Sequence, residues 1–153
     1  MADPPRRRGR GRRLTPPERL QIPVGDTPFG DLVFDAVAAG PPDGSVVLLL
    51  HGFPESSHEW RYQLPALAAA GYRAVAPDQR GYSPRARPGP IEAYHVQHLA
   101  ADVLAMIEHL GRGPVHLVAH DFGAVVAWLV AARHPEQLHS LTAISVGHPL
   151  ALA

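Results

Sequence analysis

Three short apolar runs punctuate the chain: Val46–Leu50, Tyr72–Ala76 and the stretch that opens at Val115. Runs of this kind mark strands buried on both faces of a sheet. Segments of helical period lie between them. Trp60, Leu64, Leu67 and Ala68 share one helical face, and Gly71 ends that helix. From Tyr94 a longer helix sets Val96, Leu99, Ala100, Val103, Ile107 and Leu110 at spacings of three and four, with Gly111 as its cap. Ahead of all this, Arg19–Val24 and Leu32–Ala38 read as a hairpin across the turn-forming residues 25–31. A third helix, after the Val115 strand, is stopped by His134-Pro135, and Leu141–Val146 supplies a sixth strand. Strands alternating with helices predict the α/β class, a mostly parallel sheet of about six strands with flanking helices. In such a sheet ligands bind at the carboxyl ends of the strands. Three segments finish there: His51–Glu55, Asp78–Tyr82 and Asp121.

The stretch Val115–Val126, V-H-L-V-A-H-D-F-G-A-V-V, carries the sharpest chemistry. Asp121 stands where the strand turns into the helix, with Ala119 and Gly123 two residues either side. Small residues at those positions let a tight strand–turn–helix joint pass close to its neighbours, the form of a nucleophile elbow. A carboxylate there would be stabilised as an anion by the helix N-terminus and aimed out of the sheet. Asp is also a favoured N-cap. Those five residues alone leave both readings open.

Composition narrows the setting. The chain has 153 residues, enough for one domain with a real core, and no cysteine, so neither disulfides nor a thiolate metal site. The net charge is zero but unevenly spread: residues 1–13 hold six arginines against Asp3. The segment has no hydrophobic core of the length a secretory signal needs, and no stretch is apolar enough for a membrane span. The chain reads as cytoplasmic, with a disordered Arg-rich leader over residues 1–18 and a core domain over 19–153. R-G-R-G-R-R could neutralise phosphates, but it lacks interleaved aromatics and sits on an acidic body, so neither a nucleic-acid nor a membrane partner is expected. His95, His98 and His109 lie on one predicted helix. With no third ligand in view they read as a solvated face, and no metal or cofactor is predicted.

Three blocks then stand together: H-G-F-P-E-S with Trp60-Arg61-Tyr62-Gln63, P-D-Q-R-G-Y, and A-H-D-F-G-A. In order and spacing they resemble the α/β-hydrolase superfamily and, within it, the epoxide-hydrolase group. The resemblance covers residues 20–149. It implies Asp121 as nucleophile, Phe53 and Phe122 as backbone donors of an oxyanion hole, and a cis peptide before Pro54. His51, Gly52, His120 and Gly123 would support the loops. It further implies a two-step reaction on a small-molecule epoxide or related electrophile. The carboxylate opens the ring to give an alkyl-enzyme ester, and a histidine-activated water hydrolyses that ester. Aspartate suits attack at saturated carbon, where serine would suit acyl transfer.

The sequence departs from that pattern in three places. Phe122 replaces the usual Trp, the halide donor of haloalkane dehalogenases, which lowers a dehalogenase reading. Ser83-Pro84 replaces the usual Gly-x-Ser. The family's cap domain, with its two tyrosines, follows the sixth strand, and the orienting acid and catalytic histidine follow the seventh and eighth. The expected fold is thus truncated before the cap. His148 is the best spare histidine, read as structural. Asp78 is expected to hold its loop by hydrogen bonds. The competing reading is a non-catalytic chain with a bare apolar edge at its sixth strand and, as partner, a complementing C-terminal chain.

Overall fold

The computed structural model describes residues 16–148. Of the predicted leader, residues 1–15 lie outside the described residues, and the first strand begins at Glu18. Six strands form one sheet: β1 (Glu18–Val24), β2 (Leu32–Ala39), β3 (Val46–Leu50), β4 (Arg73–Pro77), β5 (Val115–His120) and β6 (Leu138–Ile144). Their spatial order is β1-β2-β4-β3-β5-β6. β1 pairs antiparallel with β2, and β2 antiparallel with β4; the other pairings are parallel. The hairpin and the parallel body are both as the pattern predicts.

All five residues of β3 are buried, because helices cover both sides of the sheet centre. On one face α1 (Gln63–Ala69) packs Leu64 and Ala68 against Val47, Leu49, Ala74 and Ala76. On the other, α2 (Val96–Leu110) and α3 (Phe122–Arg133) close over Leu48, Leu50, Val115, Leu117 and Phe34. Gly111 ends α2 in a left-handed conformation, as expected.

Several boundaries differ from the sequence pattern. Trp60 belongs to a separate 3₁₀ turn, Ser57–Trp60, capped by Ser56, whose hydroxyl accepts the His58 N–H. Pro65 has no N–H to give to the carbonyl of Arg61, so α1 cannot extend back to Trp60. The long helix is likewise preceded by a 3₁₀ turn, Ile91–Tyr94. β6 starts three residues earlier than its apolar stretch and ends at Ile144, followed by Ser145 at φ 68°. The polar pair His139-Ser140 conceals its start, and the Ser140 hydroxyl meets His116 Nδ1 at 2.8 Å. β6 lies at the sheet edge, but it is mixed and not apolar: His139, Ser140 and Thr142 are exposed. No helix among the described residues is long and apolar enough to cross a membrane.

Candidate active site

The carboxyl ends of β3, β4 and β5 converge. Asp121 sits between β5 and α3 with φ 48° and ψ −119°, a left-handed conformation rare outside glycine. Its N–H reaches across to the carbonyl of Ile144, at 3.1 Å, and its carbonyl accepts the Ala124 N–H at 2.9 Å, opening α3. Its side chain does not cap the helix. It turns instead towards the loop after β3, where Oδ1 accepts the Phe53 N–H at 3.0 Å. The amides of Phe53 and then Phe122 hold its carboxyl below the usual carboxylate range. The geometry thus departs from the N-cap that composition alone left open.

Two glycines permit this convergence. A Cβ on Gly52 would stand 2.7 Å from Cβ of Asp121, and one on Gly123 would stand 2.7 Å from the carbonyl oxygens of both Leu50 and His51. Between them the Phe53–Pro54 peptide is cis.

His51 is buried, and both its ring nitrogens are engaged. Nε2 accepts the Gln79 N–H at 3.0 Å, so Nδ1 carries the proton and points to the Gly52 carbonyl at 2.9 Å. Burial pushes its pKa down. Tyr82 meets its ring edge-on, with centroids 4.6 Å apart. Burial and then the charge of Asp121 push the Tyr82 phenol up, which keeps it protonated. Asp78 does hold its loop: Oδ1 accepts the Ser57 N–H at 2.7 Å. The ends of β3 and β4 are also tied by Gln79, whose side-chain amide donates to the His51 carbonyl at 2.6 Å.

A cavity of about 360 Å³ opens over these loops, lined by His51, Gly52, Phe53, Gln79, Arg80, Gly81, Tyr82, Tyr94, Leu99 and Phe122. Phe53 and Phe122 form its rim, 73% and 48% exposed. The lining is mostly apolar, with the carboxylate beside it. A larger open hollow of about 850 Å³, between β1–β2 and Arg61, has Asp78 in its wall but not Asp121. Asp121 itself lines neither space, but Phe53 and Phe122, whose N–H groups hold its carboxylate, both stand at the rim of the smaller one, which places the smaller one beside the carboxylate.

A family model described as the alpha/beta hydrolase fold matches residues 45–152. The chain belongs to the α/β-hydrolase family. Epoxide hydrolase A of Mycobacterium tuberculosis is 46% identical over 110 residues, covering 72% of this chain and 34% of that one. The AB hydrolase superfamily protein YfhM of Bacillus subtilis is 40% identical over 77% of this chain and 41% of its own. A crystal structure of an epoxide hydrolase from Vigna radiata superposes with a TM-score of 0.75 at 42% identity, covering 84% of this chain and 41% of that one. This α/β-hydrolase chain thus spans about a third to two fifths of the length of these three relatives.

Within the hydrolase core, Asp121, Phe53, Phe122, Gly52 and Gly123 come together as the motifs suggest, with His51 and Pro54 in the adjoining loop. His120 lies behind them, its Nδ1 2.6 Å from Glu59 Oε1. The contact is at ion-pair distance but off the line of a hydrogen bond. His148 instead packs edge-on against Trp128, with centroids 4.9 Å apart. His95 is the N-cap of α2, while His98 packs edge-on against Phe29. Among the described residues no cluster of three or more His, Asp or Glu side chains could hold a metal. Motif reading missed Glu59, Gln79 and the buried Arg80–Asp102 pair. Each looks like an ordinary polar position until its partner is known.

Proposed function

We propose that this chain carries the nucleophile half of an epoxide-hydrolase-type site. Asp121 is the nucleophile, and the backbone N–H groups of Phe53 and Phe122 form the oxyanion hole. The observation that carries the reading is the Asp121 carboxylate, which leaves α3 uncapped and takes the Phe53 N–H on Oδ1 at 3.0 Å. With Oδ1 held there, Oδ2 is the oxygen left to attack. A bond forms from Oδ2 to an epoxide carbon, that carbon's bond to the ring oxygen breaks, and the released alkoxide takes a proton from water or an acid. Oδ1 then becomes the carbonyl oxygen of the ester. Water attack on that ester builds negative charge on Oδ1, where a donor already stands within the 2.7–3.1 Å range that stabilises an oxyanion. The apolar cavity suits a small epoxide.

Release of the ester needs a base within hydrogen-bond reach of the water. His51 has both ring nitrogens engaged, and His120 turns Nδ1 to Glu59. The reading therefore gives alkylation to this chain and hydrolysis to a complementing C-terminal segment. A dehalogenase reading is not favoured, since Phe122 offers a leaving halide no side-chain N–H.

Incubation with 1,2-epoxypropane followed by intact-mass analysis tests this. The parent should gain one adduct on Asp121, and Asp121→Asn none. Diol without a lasting adduct would mean that a base is present in the chain. A folded parent giving neither adduct nor diol would overturn the reading. The pH profile adds a second check. Protonation removes the nucleophile, so the rate falls as pH falls through the Asp121 pKa. Because the amides depress that pKa, the midpoint is expected below the ordinary 3.8. A midpoint at or above 3.8 would count against the oxyanion-hole contacts.

A further inference from the structure

One carboxylate joins the two loops from behind the site. Glu59 Oε2 accepts the Gly52 N–H at 3.0 Å, and Oε1 lies 2.6 Å from His120 Nδ1. Each partner stands one residue ahead of a reacting part. Gly52 precedes Phe53, whose N–H holds Asp121 Oδ1, and His120 precedes Asp121 itself. The loops already touch: a Cβ on Gly52 would lie 2.7 Å from Asp121 Cβ and 3.1 Å from His120 Nδ1. Glu59 is itself fixed within a 3₁₀ turn, its N–H on the Ser56 carbonyl at 2.9 Å and its neighbour Trp60 buried. Its side chain is 18% exposed, and it does not line the cavity. From there it can reach no substrate, but it can set the separation of the two loops.

We propose that Glu59 is a positioning residue for the alkylation step: by holding Gly52 and His120 on one carboxylate, it fixes the Phe53 N–H against Asp121. The inference rests on the reading of Asp121 as nucleophile.

Two measurements on Glu59→Ala and Glu59→Gln test it. The first is titration of the Asp121 carboxyl by ¹³C NMR. Loss of a nearby negative charge alone would lower the Asp121 pKa, whereas loss of the Phe53 N–H would raise it. Glu59→Ala is expected to raise it; a fall, or no change, overturns the proposal. The second is saturation kinetics of adduct formation. The limiting rate in Glu59→Ala should drop about 10- to 100-fold, the scale of a misplacement near 1 Å, with the half-saturating epoxide concentration unchanged. Glu59→Gln keeps an acceptor for Gly52 but replaces the carboxylate charge at His120 by a neutral amide, so it should fall between. If Glu59→Ala does not fold, an intermediate rate in Glu59→Gln supports the proposal and a parental rate overturns it. If the parent forms no adduct, the nucleophile reading fails, and the NMR titration still decides whether Glu59 holds the loops.

Discussion

Asp102→Ala is expected to destabilise the fold by about 3 to 5 kcal/mol, the cost of stranding one member of a buried ion pair. Arg80 follows β4 and Asp102 lies on α2, at 5% and 3% exposure. The pairing is bidentate: Nε donates to Oδ2 at 2.7 Å and Nη2 to Oδ1 at 2.6 Å. Nη1 donates to the Ala93 carbonyl at 3.0 Å, drawing in the turn before α2. Removing the carboxylate leaves a guanidinium, 5% exposed, that cannot shed its charge and has lost its bidentate partner. Burial pushes the Asp102 carboxyl up more than Arg80 pulls it down, the mark of a charge that is costly to bury. The double variant Arg80→Met/Asp102→Leu is therefore expected to cost far less than the single one. Thermal unfolding decides: for a chain of this length the single variant should melt roughly 10 to 15 °C lower, and a fall under about 3 °C would mean that water reaches the guanidinium.

The central strands were legible because burial on both faces leaves a continuous apolar run. Val46–Leu50 could be placed to the residue. β6 could not. Its first half carries His139 and Ser140, and what makes it a strand is pairing with β5, including His116 opposite Ser140. That is a tertiary fact with no local period. The break between Trp60 and α1 was legible in principle, since Pro65 states it, but the apolar spacing of Trp60 and Leu64 masked it.

At the site, residues whose placement depends on type at a fixed place in a motif could be read: Asp121 at the joint, the glycines beside it, and His51-Gly52-Phe53-Pro54 after the central strand. Residues whose role depends on a distant partner could not. Glu59 occurs in the pattern as a polar position of a helical stretch, and nothing local says that Gly52 and His120 will meet it. Gln79 stands inside a recognised block, yet its side-chain bond to the His51 carbonyl follows only from the parallel neighbours β3 and β4. The orientation of Asp121 also lay beyond sequence. Capping and turning outward use the same residue at the same place, and φ 48° with an uncapped α3 separates them.

The joint itself should tolerate almost nothing at Gly123. Gly123→Ala is expected to cost about 3 kcal/mol, the upper part of the range for overpacking. The added Cβ would sit 2.7 Å from the carbonyl oxygens of Leu50 and His51 and 3.0 Å from the Leu50 carbonyl carbon. Backbone cannot swing aside as a long side chain would, and Leu50 is held by its parallel pairing with Ala119. The strain can be relieved only by lifting the first turn of α3 off β3. That turn carries the Phe122 N–H and sets the direction of Asp121, so the 3.0 Å contact to Phe53 opens with it. Adduct formation should then fall by about 100-fold or more. Gly89→Ala is the control: its added Cβ meets nothing within 4 Å, so it should be neutral or stabilising by up to about 1 kcal/mol. Parental melting in Gly123→Ala would show that α3 can slide at no cost and that the close approach does not set the site. Lowered melting with full alkylation would separate packing of the joint from aim of the carboxylate. The expected pairing of the two losses follows from one helix turn serving both.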